Sequence, residues 1–417
     1  MTGPHGTAKL TRTNPGPSWV RTTIICLAVL LEGMSSSGIN VQVVAVQEAL
    51  SMGRAELGVV TAAFLVAYAG LLPAAGRLVD ARGSGRVFLA GGLVFGFGCL
   101  VCAAALDGWM LGLGRFVQGA GAALSAPAAL ALITQALPAG SARNRAVGLY
   151  GAMGAIGFSL GLVLPSFAVA ALGWRASFLI FVPVVLVVLR VAWTVRRTQS
   201  SKDQPVDLPG NVILTALMVL GVLVISGLGT WPLLHLAVPA GAVLLLVLAL
   251  VRRGGIAGFP GEVLRSPQVT SSCLSLGAVF AGVISSYYVL SLALQTEQGH
   301  GPLAVGLMIV PNPIAFALLS AYGARLVSRF GYKRVLRAGL MLIAVALYYL
   351  AATGADTPYV LGMLPAQLAI GSGLALCYPA ASIGAVDAAP EQYRGTTAGL
   401  LVTWQNLGGA IGLALVT

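Results

Sequence analysis

The sequence predicts an all-α polytopic membrane protein in which two six-helix bundles are separated by a two-helix insert. Three observations lead there. Of 417 residues, 58% are hydrophobic and 9% charged, with a mean hydropathy of +0.91, a composition that requires lipid as its solvent. Apolar stretches of about 18 residues or more recur from Arg21 to Thr417, each long enough to cross a hydrocarbon layer of roughly 30 Å as a helix, which satisfies every backbone polar group internally. Finally, the two ends of the chain repeat one another at a nearly constant offset.

Taken in order, residues 1-20, with Pro4, Pro15, Gly16 and Pro17, form a cytoplasmic tail. The span that follows is too long for the apolar core of a signal peptide. Thirteen spans are expected, at 22-48, 56-79, 87-107, 109-136, 145-172, 176-195, 209-229, 232-251, 267-293, 303-327, 335-353, 359-386 and 396-417. They divide the chain into an N-terminal bundle over 21-195, a cytoplasmic linker over 196-208, two inserted helices over 209-253, a second linker over 254-266 and a C-terminal bundle over 267-417.

The net charge of +12 and the pI near 9.9 invite comparison with nucleic-acid binders. With the N-terminus inside, however, all of the 24 Lys and Arg except Arg54, Arg115 and Arg175 fall at the cytoplasmic face. The positive-inside rule accounts for such a distribution. The expected partner is therefore a lipid bilayer, with no nucleic acid. Cys26, Cys99, Cys102, Cys273 and Cys377 all lie in apolar spans, and the C-x-x-C of Cys99 and Cys102 has no further ligands nearby in sequence. Neither a disulfide framework nor a metal cluster is indicated. His5, His235 and His300 are scattered, and without a nucleophile constellation or a phosphate loop the chain does not read as an enzyme. No cofactor is expected.

A shift of 248 residues lays RLVDARGSGRVFLAG (77-91) on RLVSRFGYKRVLRAG (325-339), eight of fifteen positions being identical. A shift of 252 lays RFVQGAGAALSAPAA (115-129) on QLAIGSGLALCYPAA (367-381), and a shift of 255 brings GAIG at 154-157 onto GAIG at 409-412. Spans 2, 4 and 5 thus pair with spans 10, 12 and 13. An offset of eight spans, where a bundle needs six, makes spans 7 and 8 an insert between parallel repeats of the kind found in secondary transporters. The counterpart of span 6 is missing from the second half, so a fourteenth helix is expected beyond Thr417.

The turn after span 2, Gly76-Arg77-Leu78-Val79-Asp80-Ala81-Arg82-Gly83-Ser84-Gly85-Arg86, resembles the loop motif G-x-L-x-D-R-x-G-R-R-R of the major facilitator superfamily, departing at Ala81, Ser84 and Gly85. Arg115-Phe116-Val117-Gln118-Gly119-Ala120-Gly121-Ala122-Ala123 is similar to that family's span-4 motif R-x-x-Q-G-x-G-A-A. Span 5 keeps Gly157 and Gly161 of the antiporter motif G-x-x-x-G-P-x-x-G-G, but its proline, Pro165, is displaced. Trp174-Arg175, Asp207-Leu208-Pro209-Gly210 and Gln295 with Gly299 and Pro302 resemble the 14-span drug:proton antiporter branch, and in the first span Ser35 stands where that branch carries an acid. The resemblance implies a major-facilitator fold and proton-driven export of drug-like amphipathic or cationic compounds, with the proton gradient as energy source. The altered span-5 motif leaves metabolite uptake or facilitated diffusion open, and a membrane sensor is a third reading. On this resemblance Gly76, Asp80, Gly83, Arg86, Gln118, Gly119, Gly157, Gly161 and Pro165 are conformational residues.

Only Glu32 and Arg115 place charge deep in spans, where an ionisable group demands a reason. At about 1.5 Å per residue, Glu32 lies roughly 16 Å above Arg21, and Arg115 lies roughly 9 Å below Trp109 at the outer interface. The two are expected within reach of one another, as a protonatable carrier and its tuning partner. Asn40, Gln42, Tyr68, Tyr287, Tyr288, Asn312, Gln367, Trp404, Gln405 and Asn406 are the candidate substrate contacts, their aromatic and amide character suiting an amphipathic or cationic molecule.

Overall fold

The computed structural model describes residues 19-137, 141-196, 233-252, 265-353, 357-390 and 394-416, with Val263 and isolated positions between 209 and 224. The helices of the first bundle are α1 (Trp19–Leu50), α2 (Arg54–Arg82), α3 (Ser84–Ala103), α4 (Gly108–Ala136), α5 (Ser141–Leu172), α6 (Ala176–Leu179) and α7 (Phe181–Val195). After α8 (Leu233–Arg252) come α9 (Pro267–Thr296), α10 (Pro302–Ile309), α11 (Pro311–Phe330), α12 (Tyr332–Ala352), α13 (Tyr359–Ala388) and α14 (Arg394–Val416).

Helix starts follow local chemistry. The Asp107 carboxylate accepts from the Met110 amide at 2.7 Å to cap α4, and Glu56 accepts from the Gly53 amide at 3.2 Å at the start of α2; both satisfy amides that have no intrahelical partner. The expected spans 176-195 and 303-327 are each two helices. Pro183 cannot donate to the carbonyl of Leu179, nor Pro311 and Pro313 to those of Leu307 and Ile309, so the runs break at Ile180 and Val310. The helices α2 and α3 meet at Gly83 with φ of +88°, and α11 and α12 meet at Gly331 with φ of +80°, a backbone region that favours glycine. These two glycines are 248 residues apart. Span 7 falls mostly outside the described residues, and α8 packs extensively on neither bundle.

The closest packing in the first bundle is α3 on α4, α1 on α5 and α2 on α4; in the second it is α12 on α13, α9 on α14 and α11 on α13. These are the same three pairs under the duplication. The repeat extends to single contacts. A Cβ added at Gly119 would lie 2.9 Å from Ala67 Cβ and against the Phe64 carbonyl, and one added at Gly371 would lie 2.9 Å from Ala315 Cβ and against the Asn312 carbonyl. Small residues allow this close backbone approach. The halves meet where α2 packs on α14 and α5 packs on α10 and α11. Each helix thus touches the counterpart of the other, as a two-fold relation between the bundles requires.

Candidate functional site

Between the bundles lies a cavity of about 350 Å³. Its walls come from α1, α2 and α5 on one side and from α9, α11, α13 and α14 on the other. At 1.5 Å per residue the lining positions lie roughly 12–30 Å from the helix ends that carry the basic turns, which is the middle of the layer. Glu32, on α1, supplies the carboxyl in the wall. Its Oε2 accepts from the Tyr68 hydroxyl at 3.3 Å, while Oε1 is buried without a partner.

Eight aromatic rings share the rest of the wall with aliphatic and small residues. Phe64 stacks on Tyr68 with ring centroids 6.1 Å apart, and Phe158 of the first bundle meets Tyr287 of the second at 5.5 Å. Phe280 and Phe316 flank Tyr378 at 6.5 and 6.1 Å. The Tyr150 hydroxyl donates to the Ala126 carbonyl at 3.1 Å, which fixes its ring at the edge of the cavity. Gln405 Oε1 has no partner, and Asn406 Nδ2 donates to the Val402 carbonyl at 2.9 Å. An apolar, preorganised wall with a few convergent polar atoms is the ordinary form of a small-molecule site.

Of the ten candidate contacts, Tyr68, Tyr287, Gln405 and Asn406 reach this cavity. The other six do not line it. Asn40 donates to the Ser37 carbonyl at 3.1 Å and Gln42 accepts from the Ser177 hydroxyl at 2.9 Å, so both are engaged inside the first bundle. Tyr288 is buried on α9 beside Tyr287, successive helical positions pointing in different directions. Asn312 and Gln367 are enclosed in the second bundle, and Trp404 packs over Gly277. Sequence reasoning missed Phe64, Tyr150, Phe158, Phe280, Phe316 and Tyr378. Helical spacing held a signal for some of them: Phe280 precedes Tyr287 by seven residues, and Tyr150, Gly154 and Phe158 follow one another at intervals of four.

Arg115 is fully enclosed and makes no direct ion pair with Glu32; its partners are others. Its Nη1 donates to Ser35 Oγ at 2.7 Å and to Gln118 Oε1 at 3.1 Å, and its guanidinium lies 4.8 Å from the centroid of the Phe64 ring. Helix geometry is the reason: Ser35 is one turn beyond Glu32 on α1, and the arginine meets that turn. That partner is the serine standing at the acidic position of the resembled pattern. Gln118 extends the cluster by donating to Cys99 Sγ at 3.1 Å and accepting from Cys102 Sγ at 3.6 Å.

The motif residues sort by contact. Gly157 and Gly161 let α5 lie against Leu30 and Met34 of α1, and Pro165 packs on Gly38. Gly119 brings α4 onto α2, Gly83 makes the α2–α3 turn, Arg86 is exposed and Gly76 has open space around it. The side chain of Asp80 lies outside the described residues.

Two related helical bundles enclosing an aromatic cavity at mid-depth define a multi-pass membrane transporter for small molecules rather than an enzyme. The chain belongs to the Major Facilitator Superfamily, which it matches over residues 25–413. It is 32% identical to the puromycin resistance protein pur8 of Streptomyces alboniger, over 95% of this chain and 81% of that protein. It is 31% identical to the cephamycin export protein CmcT of Amycolatopsis lactamdurans, over 100% of this chain and 88% of that one. Among solved structures, the inward-open xylose transporter XylE of E. coli superposes with a TM-score of 0.62 at 16% identity, covering 95% of this chain and 88% of that chain, a likeness of fold.

Proposed function

We propose that the chain exports small amphipathic or cationic organic compounds from the bacterial cell in exchange for protons. One observation carries this reading: a cavity between the bundles surrounded by aromatic rings with the Glu32 carboxyl in its wall. Aromatic faces attract organic cations and apolar ring systems, and a carboxyl can hold either a proton or a cationic group. Competition between the two for Glu32 would couple export to proton entry. The names of the resistance and export relatives favour a toxic or antibiotic-like substrate.

The two bundles would rock about the contacts of α2 with α14 and of α5 with α10 and α11 to expose the cavity to either side in turn. Arg115 acts in this scheme as a positioning residue that ties α4 to α1 through Ser35. The charge distribution favours an N-terminus in the cytoplasm, and we take the chain to work as a monomer in the inner membrane. A sixth helix in the second bundle draws support from a groove of about 410 Å³ with Gly282, Leu347, Leu350 and Met363 in its wall, while assignment to the 14-span branch rests on the insert. The groove lies along α9 and α12, where the first bundle seats α7 against α1 and α3. A further helix would cover it.

The test is expression in a bacterial host sensitised to toxic compounds, with growth and intracellular accumulation measured across puromycin-like, β-lactam and quaternary-ammonium compounds. Lower accumulation with the wild-type chain, lost in Glu32→Gln, supports the proposal. Higher accumulation of any of them would instead mean uptake.

A further inference from the structure

Glu32 borders two spaces. One is the cavity between the bundles; the other is a gap of about 10 Å³ within the first bundle, walled by α1, α3, α4 and α7. Its polar wall groups are Glu32 and Ser125, and the remainder, including Gly92, Phe95, Val185 and Val188, is apolar. This is the lower limit of volume for a single water, with the least number of polar partners that holds one.

From the structure we infer that this gap is the proton's exit from Glu32, separate from the face on which substrate binds. The inference rests on the proton-coupled reading above. By helical rise, Glu32 lies roughly 20 Å from the start of α1, Ser125 roughly 16 Å from the end of α4 and Val188 roughly 10 Å from the end of α7, so the gap leads from the carboxyl toward the inner face. There the Ser84 hydroxyl donates to Gln135 Oε1 at 2.9 Å, joining the inner ends of α3 and α4 with polar groups. The cavity side of Glu32 is faced by Tyr68 on α2, Tyr150 on α5, Tyr287 on α9 and Tyr378 on α13. The gap side is faced by the Ser125 hydroxyl on α4 and by no charged group from α3 or α7, while Arg115 is engaged one turn away by Ser35.

The step balances simply. The Glu32 carboxylic acid breaks its O–H bond and gives the proton to a water in the gap, which is held by the Ser125 hydroxyl; that water passes a proton on toward the inner face. The carboxylate left behind is the counter-charge for an organic cation arriving in the cavity. Proton and substrate then use opposite sides of one side chain, and neither has to pass the other.

Two variants test this: Ser125→Ala removes the gap's second polar partner, and Ala122→Val fills the gap. In inverted membrane vesicles, the uptake of tetraphenylphosphonium driven by a pH gradient is expected to fall about tenfold in both, the worth of one bridging interaction. Exchange of labelled for unlabelled tetraphenylphosphonium at equal pH, which needs no proton release, should remain within about twofold of wild type. Hydrogen–deuterium exchange at the Glu32 carboxyl, followed by difference infrared spectroscopy against Glu32→Gln, reads the same step without substrate and should slow about tenfold. Carboxyl exchange at the wild-type rate in both variants overturns the exit route, as does a loss of labelled-for-unlabelled tetraphenylphosphonium exchange equal to the loss of gradient-driven uptake. Wild-type vesicles with slow-exchanging variants but no gradient-driven uptake of any exported compound overturn the proton-coupled reading instead.

Discussion

A methyl group added at Gly119 is a sharp probe of the pseudo-two-fold fold. Its Cβ would lie 2.9 Å from Ala67 Cβ, short of an ordinary carbon–carbon contact by about 0.6–1.1 Å, and closer still to the Phe64 carbonyl. Backbone cannot swing aside as a side-chain tip can, so α2 and α4 must part. Overpacking of this kind costs about 1–3 kcal/mol, and replacing a mid-helix glycine by alanine returns about 0.5–1 kcal/mol. Gly119→Ala should therefore lose up to about 2.5 kcal/mol. Gly371→Ala, meeting Ala315 Cβ at the same 2.9 Å, should lose the same. Gly151→Ala, on α5 with nothing within 4 Å, should gain stability. Thermal unfolding of the detergent-purified protein measures all three, at about 2–4 °C per kcal/mol. If the two interface variants differ in sign, or both behave like Gly151→Ala, the two-fold equivalence of these packing sites is wrong.

Three other outcomes follow from the same contacts. Ser35→Asp sets a carboxylate where Arg115 already donates at 2.7 Å and should raise stability by about 1–3 kcal/mol, seen as a higher unfolding midpoint; Arg115→Gln in that background should abolish the gain. Tyr68→Phe removes the hydroxyl that donates to Glu32 and should weaken export by up to about tenfold, roughly 0.5–1.5 kcal/mol, with surface expression unchanged in a membrane blot. Phe158→Ala or Tyr378→Ala should each lower affinity for an aromatic cation by about 0.5–1.5 kcal/mol, measured as a rise in the half-saturating concentration for transport.

The helices were legible because lipid imposes one rule on every span, and each apolar run satisfies it almost independently of its neighbours. The duplication was legible for a similar reason: Gly83 and Gly331 need the same positive φ, and Gly119 and Gly371 need the same close approach, so chemistry preserved the spacing. Helix breaks were harder. Pro183 and Pro313 sit among strongly apolar residues, and hydropathy does not register a missing amide. The cavity was partly legible, since Glu32 and Tyr68 stand out as polar groups within spans. Phe280, Phe316 and Phe158 are apolar like the lipid-facing residues around them, and only the rotation of each helix decides which face they take. Asn40 and Gln42 drew attention for the opposite reason. Asn40 Nδ2 and Gln42 Oε1 are engaged within the first bundle by Ser37 and Ser177, partners that a sequence does not reveal.

The coupling of proton to substrate at Glu32 is tested most directly by transport in inverted vesicles carrying either the wild-type chain or Glu32→Gln, with an imposed pH gradient and a compound that the wild type exports. Gradient-driven accumulation should be abolished in Glu32→Gln while the protein remains in the membrane at wild-type level. Accumulation at the wild-type rate in that variant would contradict a role for the Glu32 carboxyl as the carrier of the proton.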